Sequence, residues 1–395
     1  MQIKILVVLF LIVGFSQIRG QQQLSEKATV SVITCGPGDV LYTSFGHSAF
    51  RIYDPENKLD RIYNYGTFDF NAPNFYLNFA KGNLTYQLAT QSFSRFLRIY
   101  KYENRWVKAQ ELNLTHTEIQ QIFEFLENNA KPENKDYQYD FFYDNCATRI
   151  EDVIKTVLKD KVEFSNAHIT ETKTHRELIN DYAKEFKWGK FGIDLALGSV
   201  IDDEATKDDF KFLPDYIFEG FENAIIKRNN VEFPLVIRTY NLNKTIDNNI
   251  LKPLDFLLTP FVIFTFLSII GLLICYKDFK KNRRTKSLDF LIYFISGLIG
   301  IAVVLLWFAT THTATYKNLN LLWAFAPNLI VAFYMVKNTI PKWVLKYNYM
   351  LLSFIGIMLL IWVLKVQVFN IALLPFVLLL SIRFLLINKL SSSKK

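Results

Sequence analysis

Three side chains in this sequence have the types and neighbours needed for nucleophilic catalysis: Cys146, His47 and Asn64. Cys146 lies in Tyr143-Asp144-Asn145-Cys146-Ala147-Thr148-Arg149, behind the aromatic residues Tyr137, Tyr139, Phe141 and Phe142. Ile150, Val153, Ile154, Val157 and Leu158 then recur at spacings of three and four, which predicts an amphipathic helix. Asp144 or Asn145 suits its N-cap, because a short side-chain oxygen accepts from the unpaired N–H groups of a first turn. Cys146 is then expected in that turn. There the helix dipole favours thiolate over thiol, and spare N–H groups can hold an oxyanion. Two other readings stand beside the nucleophile: a buried structural cysteine, and a disulfide to Cys35 in an exported domain.

A thiolate nucleophile needs a base within hydrogen-bond reach, and the base needs a group that orients it. The stretch from Ser44 to Tyr53 reads as a strand. Alternation puts His47, Ala49, Arg51 and Tyr53 on one face and Ser48, Phe50 and Ile52 on the other. Gly46 and Ser48 leave space beside His47 for another element. Asp54-Pro55-Glu56-Asn57 is a turn, and residues 60–66 form the return strand. A two-residue loop sets Asn64 opposite His47, whereas a three-residue loop sets Tyr65 there. Either is a candidate orienting group, and a satisfied core histidine is the plain alternative for His47. His116, His168, His175 and His312 stand alone in polar contexts and read as solvated. The chain has no Gly-x-x-x-x-Gly-Lys loop, no His-Glu-x-x-His and no paired Cys-x-x-Cys. Phosphate-loop, zincin and zinc-ribbon readings are therefore unsupported, and no metal or cofactor is expected.

The elements that must position these groups follow from the rest of the chain. Residues 1–20 read as a signal peptide: Lys4, an apolar run over 5–13, then the small residues Ser16 and Gly20. Residues 21–250 read as an α+β domain outside the cytoplasm. Its expected elements are strands at 28–33, 84–89 and 231–240, helices at 112–129 and 175–186, and a helix start at 212–215. Asn113 or Thr115, supported by Glu118, caps the first of those helices. The glycine-containing stretch 188–199 is expected to be a loop.

Residues 251–395 have a different composition. From Leu254 onward there are fifteen Lys and Arg against three Asp and Glu, so the formal charge of +8 arises entirely there. Those charges lie between apolar segments at about 256–276, 290–310, 321–335, 350–364 and 369–386, which points to a membrane rather than to nucleic acid. Cys275 falls in the first segment. Residues 277–286 hold six basic residues and one acidic, and Lys337, Lys342, Lys346, Lys389, Lys394 and Lys395 cluster on the same side. The positive-inside rule then places those connections and the C-terminus in the cytoplasm, and the soluble domain opposite.

Histidine first and cysteine about a hundred residues later resembles the circularly permuted papain-like (NlpC-like) enzymes. More specifically, Phe45-Gly46-His47-Ser48-Ala49-Phe50-Arg51, Tyr63-Asn64-Tyr65-Gly66-Thr67-Phe68-Asp69-Phe70 and Asp144-Asn145-Cys146 resemble the Lnb family of lipoprotein N-acyltransferases. The resemblance covers nearly the whole mature chain. It implies a periplasmic cysteine-enzyme domain followed by five transmembrane helices in a bacterial inner membrane. It also implies transfer of an acyl chain from a membrane phospholipid to the α-amino group of a diacylglyceryl-cysteine lipoprotein. Cys146 is then the nucleophile and His47 the base. Arg51, Tyr65 and Asn145 are candidates for substrate contact, and Arg51, Arg95, Arg98 and Arg105 for a phosphate head group. A membrane-tethered cysteine peptidase or amidase acting on cell-wall peptide, and a non-catalytic envelope sensor, are the alternatives.

Overall fold

The computed structural model describes residues 22–69, 71–83, 85–246 and 256–392. The expected signal peptide and the expected boundary near residue 250 lie outside them.

The N-terminal domain runs β1 (Thr29–Cys35), β2 (His47–Asp54), β3 (Leu59–Thr67), α1 (Phe75–Lys81), β4 (Thr85–Ser92), α2 (Phe93–Tyr102), β5 (Val107–Leu112), α3 (His116–Asn129) and β6 (Asp136–Gln138). It continues with α4 (Thr148–Leu158), β7 (Val162–Glu163), α5 (His175–Ala183), α6 (Lys187–Ala196), α7 (Pro214–Glu222), β8 (Ile225–Arg228), β9 (Val231–Pro234) and β10 (Val236–Asn243). Seven strands form one antiparallel sheet in the order β10-β5-β1-β2-β3-β4-β6, and β7-β8-β9 form a small second sheet.

β1 is an interior strand of the large sheet, and both sides of that sheet are covered around it. This is why its sequence, Thr-Val-Ser-Val-Ile-Thr-Cys, is β-branched and apolar almost throughout. Val30, Val32, Phe50 and Ile52 pack on α3, α4 and α7 through Ile122, Phe123, Ile150, Ile154, Ile217 and Phe221. Ile33, Ala49 and Ile62 pack on the opposite side against Phe96 and Tyr100 of α2. The predicted alternation of β2 is therefore the observed one.

Three expected elements differ, and the first is the strand expected at 231–240, which divides at Leu235 into β9 of the small sheet and β10 of the large one. The helix expected from residue 112 starts at His116, because Leu112 belongs to β5 and Thr115 closes a capping box with Glu118. The loop expected at 188–199 is mostly α6. Tertiary packing overrides the low helix propensity of its glycines, and at Gly189 a Cβ would lie only 2.7 Å from a Leu41 methyl. Arg176 on α5, almost fully buried, holds α6 in place through Asp194 (3.0 Å) and the following turn through Asp202 (2.7 Å).

The C-terminal region contains α8 (Pro260–Lys280), α9 (Lys286–Phe308), α10 (Asn328–Met335), α11 (Lys342–Val363) and α12 (Leu374–Ser392). Among the described residues four helices are long and apolar enough to cross a membrane: α8, α9, α11 and the helix that contains α12. The third of the five expected apolar segments is different. It forms a short 3-10 turn (Leu319–Leu322) followed by the eight-residue α10. Gly297 and Gly300 of α9 let it approach closely, since a Cβ on either would lie 2.1 Å from its backbone. Amide side chains satisfy backbone that a continuous helix would have satisfied itself; Leu319 N–H, for example, donates to Gln367 Oε1 (2.7 Å).

That broken segment also joins the two domains. Asn320 Nδ2 donates to the Asp194 carbonyl (3.1 Å) and Asn318 Nδ2 to the Leu195 carbonyl (2.9 Å). Within the membrane region, the carbonyls of Met335, which ends α10, and of Lys337 accept from Arg284 between α8 and α9 (both 2.8 Å). Just before the segment, Thr311 N–H donates to the Lys81 carbonyl at the end of α1 (2.8 Å).

Candidate active site

The hairpin β2–β3 is shaped by Asp54. Its carboxylate accepts from Ser25 N–H (2.7 Å) and Ser25 Oγ (2.6 Å), from the Glu56 and Asn57 N–H groups, and from Asn57 Nδ2 (2.7 Å). The loop holds four residues, because Asp54 pairs with Leu59. Neither register expected from a two- or three-residue loop is therefore formed. Continuing the observed register back to His47 sets Gly66 across from it. Asn64, two residues along, keeps the same face and stands diagonal to His47. The contact survives the change of register: His47 Nε2 donates to Asn64 Oδ1. Tyr65 points to the opposite face, where it is buried and its hydroxyl accepts from Asn129 Nδ2 (2.9 Å). It does not reach His47.

Cys146 lies two residues before the regular part of α4, in the turn that leads into it, as expected of a residue that follows an Asn145 cap. Asn145 sets this arrangement. Its Oδ1 accepts from Ala147 N–H (2.7 Å) and Thr148 N–H (3.0 Å), while its Nδ2 donates to the Phe141 and Phe212 carbonyls (2.8 and 2.7 Å). The side chain thus caps the helix and fixes the cysteine turn, with both ends engaged inside the protein. Mutual backbone bonds between Asp140 and Asp144 (3.1 and 3.0 Å) close the loop in front of it.

These two supports bring Cys146 to His47. Burial opposes ionisation of the thiol, but the imidazolium charge, the hydrogen bond from His47 and the N–H groups of Ser48 and Cys146 itself outweigh it. The thiol is held below its ordinary value. Burial likewise opposes charge on His47, and the Cys146 charge with the bonds to Cys146 and Asn64 outweighs it, so the imidazole is held above its usual value. With Nε2 taken by Asn64, Nδ1 is left for the sulfur. Both shifts run in the direction that favours a thiolate–imidazolium pair. All three cysteines are free thiols, so no Cys35–Cys146 bridge forms. Cys35 is the strand partner of His47, and burial pushes its thiol far up, which keeps it protonated.

Cys146 and His47 open on a cavity of about 1030 Å³. Its apolar lining includes Leu41, Phe45, Ile179, Ile193 and Leu197. The lining also holds Phe68, Phe79, Tyr86 and Tyr139, together with residues 311–315 from the membrane region. The Tyr86 and Tyr139 rings stack at 4.0 Å. Burial, with the Cys146 charge added, pushes the Tyr86 phenol up to about 12, so it stays a hydrogen-bond donor at neutral pH.

The remaining expected site residues lie elsewhere. Arg51 pairs with Asp60 (2.7 Å) and lies 3.7 Å over the Phe93 ring, away from the cavity lining. Arg95 and Arg98 are exposed on α2, whereas Arg105 lines the cavity. The histidines read as solvated differ from one another, and the ring nitrogens of His168 are buried without a partner among the described residues. His312 lines the cavity and bonds the Phe79 carbonyl through Nε2 (3.1 Å). His175 is buried edge-on against Phe142 (4.8 Å), with neither ring nitrogen bonded among the described residues. Tyr86 and His312 carried no signal in the sequence, because their place in the cavity lining is tertiary, whereas Tyr139 belongs to the aromatic run before Cys146. Among the described residues no group of His, Cys, Asp or Glu is arranged to hold a metal ion.

Two family models match the chain: the Lnb N-terminal periplasmic domain over residues 15–181 and the Lnb transmembrane domain over residues 252–395. Neither the curated proteins nor the solved structures compared with the chain include a match.

Proposed function

From the premise that this chain belongs to the Lnb family, with a periplasmic N-terminal domain and a transmembrane C-terminal region, we propose that it is a lipoprotein N-acyltransferase working through a Cys146 thioester. The observation that carries the reading is the Cys146–His47 pair opening on a cavity walled partly by the membrane region. Both substrates of such a transfer are lipid-anchored, so the site must stand at the bilayer surface. The arrangement of hairpin histidine before helix-borne cysteine is read as a circular permutation of the papain-like plan. The basic connections are taken as cytoplasmic, which gives a multi-pass protein of the bacterial inner membrane with a cytoplasmic C-terminus.

The chemistry follows from the pair. The Cys146 thiolate attacks an ester carbonyl of a membrane phospholipid, and N–H groups at the cysteine turn take up the developing oxyanion. The C–O bond breaks, the imidazolium of His47 gives its proton to the departing alkoxide, and a lysophospholipid leaves. A thioester remains, splitting the transfer into two steps. The free α-amino group of a diacylglyceryl-cysteine lipoprotein attacks the thioester, and neutral His47 accepts a proton from that nitrogen. Collapse expels the thiolate and leaves an amide. Asn64 orients the imidazole throughout, and the aromatic and apolar walls keep water from hydrolysing the thioester.

Mass spectrometry of lipoprotein N-termini in cells carrying C146S tests this. Loss of the N-acyl chain is expected. Altered muropeptides with intact N-acylation would point instead to a cell-wall peptidase, and unaltered function to a non-catalytic sensor.

A further inference from the structure

We propose that α1 lies in the periplasmic leaflet of the bilayer and forms the doorway by which acyl chains pass from lipid to Cys146. The leaflet contact stands by itself; the doorway rests on the acyl-transfer reading above. Tyr76, Leu77 and Phe79 of this seven-residue helix are 77%, 53% and 54% exposed. Lys81 is the one charge between Asn71 and Asn83. α3 of the same domain instead exposes Thr117, Gln121 and Asn128. Large apolar neighbours left bare together mark a contact with something apolar.

The position of α1 identifies that contact. Its carboxyl end is bonded to the chain just past α9: Thr311 N–H donates to the Lys81 carbonyl (2.8 Å), and His312 Nε2 to the Phe79 carbonyl (3.1 Å). Gly82 lets the two approach, since a Cβ there would lie 2.8 Å from Thr311 Oγ1. α9 ends at Phe308 in an aromatic cluster. Trp307 stacks on Phe308 (4.8 Å) and meets Tyr316 edge-on (5.8 Å), and Phe308 and Tyr316 are exposed. Such rings gather where hydrocarbon meets head groups. Thr311 follows Phe308 by three residues, a reach of about 11 Å at most. The end of α1 is therefore held at head-group level, and a short helix with aromatic and leucine side chains and one lysine suits that layer.

The same helix borders the reaction cavity. Phe79, Gly82 and Asn83 line it together with Thr311 and His312. Phe75, the one buried residue of α1, stacks on Phe68 of the lining (5.8 Å). α1 thus belongs at once to the cavity that holds Cys146 and to the surface that meets lipid. Drawing an acyl chain through water would expose each of its methylenes, which is costly; a passage along α1 avoids this.

The test uses full-length protein in vesicles of phosphatidylethanolamine and phosphatidylglycerol. A nitroxide is attached to the variant L77C/C146S, and C146S alone controls for label on the buried Cys35 and Cys275. Collisions of the label with oxygen, which concentrates in lipid, are compared with collisions with a water-soluble nickel chelate. Oxygen is expected to dominate, as it should for L267C/C146S, labelled at an exposed position of α8. A label that meets the chelate instead places α1 in water and overturns the proposal. A label shielded from both, as beneath a second copy of the chain or a bound lipoprotein, overturns it too. With Cys146 intact, L77E is expected to slow acyl-thioester formation from vesicle phospholipid roughly 10-fold or more, since a carboxylate resists the bilayer. Its rate with a water-soluble short-chain p-nitrophenyl ester should stay near that of the wild type. Equal slowing with both esters, or slowing with neither, removes the doorway. A wild type acylated by neither ester overturns the acyl-transfer reading and the doorway with it, while the label still decides the leaflet contact.

Discussion

Gly66 and Cys146 touch: a Cβ built on Gly66 would lie 3.1 Å from the Cβ of Cys146. The backbone at Gly66 has φ of +82°, in the left-handed region that a side chain resists. It sits where the β3–β4 ladder shifts register, between Asn64 and Thr67. Three needs meet at this residue. The strand must bulge, the cysteine turn must come down on the hairpin, and His47 must keep Asn64 as a diagonal neighbour.

G66A therefore combines backbone strain of about 1–2 kcal/mol with displacement of Cys146 by a fraction of an ångström. A roughly 10- to 100-fold fall in acyl-thioester formation is expected, because small misplacements of reacting atoms are costly. The melting temperature should drop only slightly. A variant with wild-type rate would show that this contact does not position the sulfur.

The paired charges on Cys146 and His47 set a pH profile. The thiolate is lost as pH falls through its lowered pKa, and the imidazolium is lost as pH rises through its raised pKa. The reactive pair is therefore favoured above the lowered thiol pKa and below the raised imidazole pKa, and each shift widens that range on its own side. Iodoacetamide alkylation of Cys146 should still be fast at mildly acidic pH. In H47A only burial and the N–H groups act on the sulfur, so the alkylation midpoint should move up by at least about one unit, a tenfold slower reaction on the acid side. An unmoved midpoint would dissolve the pair.

Asn64 acts on the sulfur only through His47. N64A should lower the acyl-transfer rate by about 10- to 100-fold while leaving the KM for donor lipid near that of the wild type. N64D places a carboxylate against the imidazolium and should push the alkaline limit of the profile further up. Equal effects on rate and KM, with an unshifted profile, would mean that Asn64 merely fills space.

Much of this site was legible one residue at a time. The alternation of β2, the cap of α3 by Thr115 and the turn before Cys146 each follow from local rules. Relations between segments were not. The hairpin register turned on a four-residue loop in which Lys58 adopts φ of 52°, and a lysine in the left-handed region leaves no trace in sequence. Asn64 was still found, since one face of β3 meets one face of β2 in several registers. α6 looked like a loop because its glycines serve packing against Leu41. The third membrane segment was mistaken for a plain helix because the amides that satisfy its backbone, such as Gln367, come from elsewhere in the chain.

Asp54 supports the site from the far end of the hairpin, and it links stability to pH. It is fully buried, and burial alone would raise its carboxyl; the bonds from Ser25 and Asn57 overcome this and hold it at about 2. A folded pKa below the unfolded one contributes stability that is present above the unfolded value. That contribution is lost as pH falls through the folded value. Here it amounts to something on the order of 2 kcal/mol at neutral pH. D54N keeps the shape, but it removes the charge and turns an amide N–H toward N–H and O–H donors. Thermal or denaturant unfolding at pH 7 should show a loss of about 1–3 kcal/mol. The stability that the wild type loses between roughly pH 4 and pH 2 should be smaller in the variant, since Asn does not titrate. Because Asp54 ends the strand that begins with His47, acyl-thioester formation should weaken along with stability. A variant as stable as the wild type at pH 7 would show that the turn holds its shape without this carboxylate.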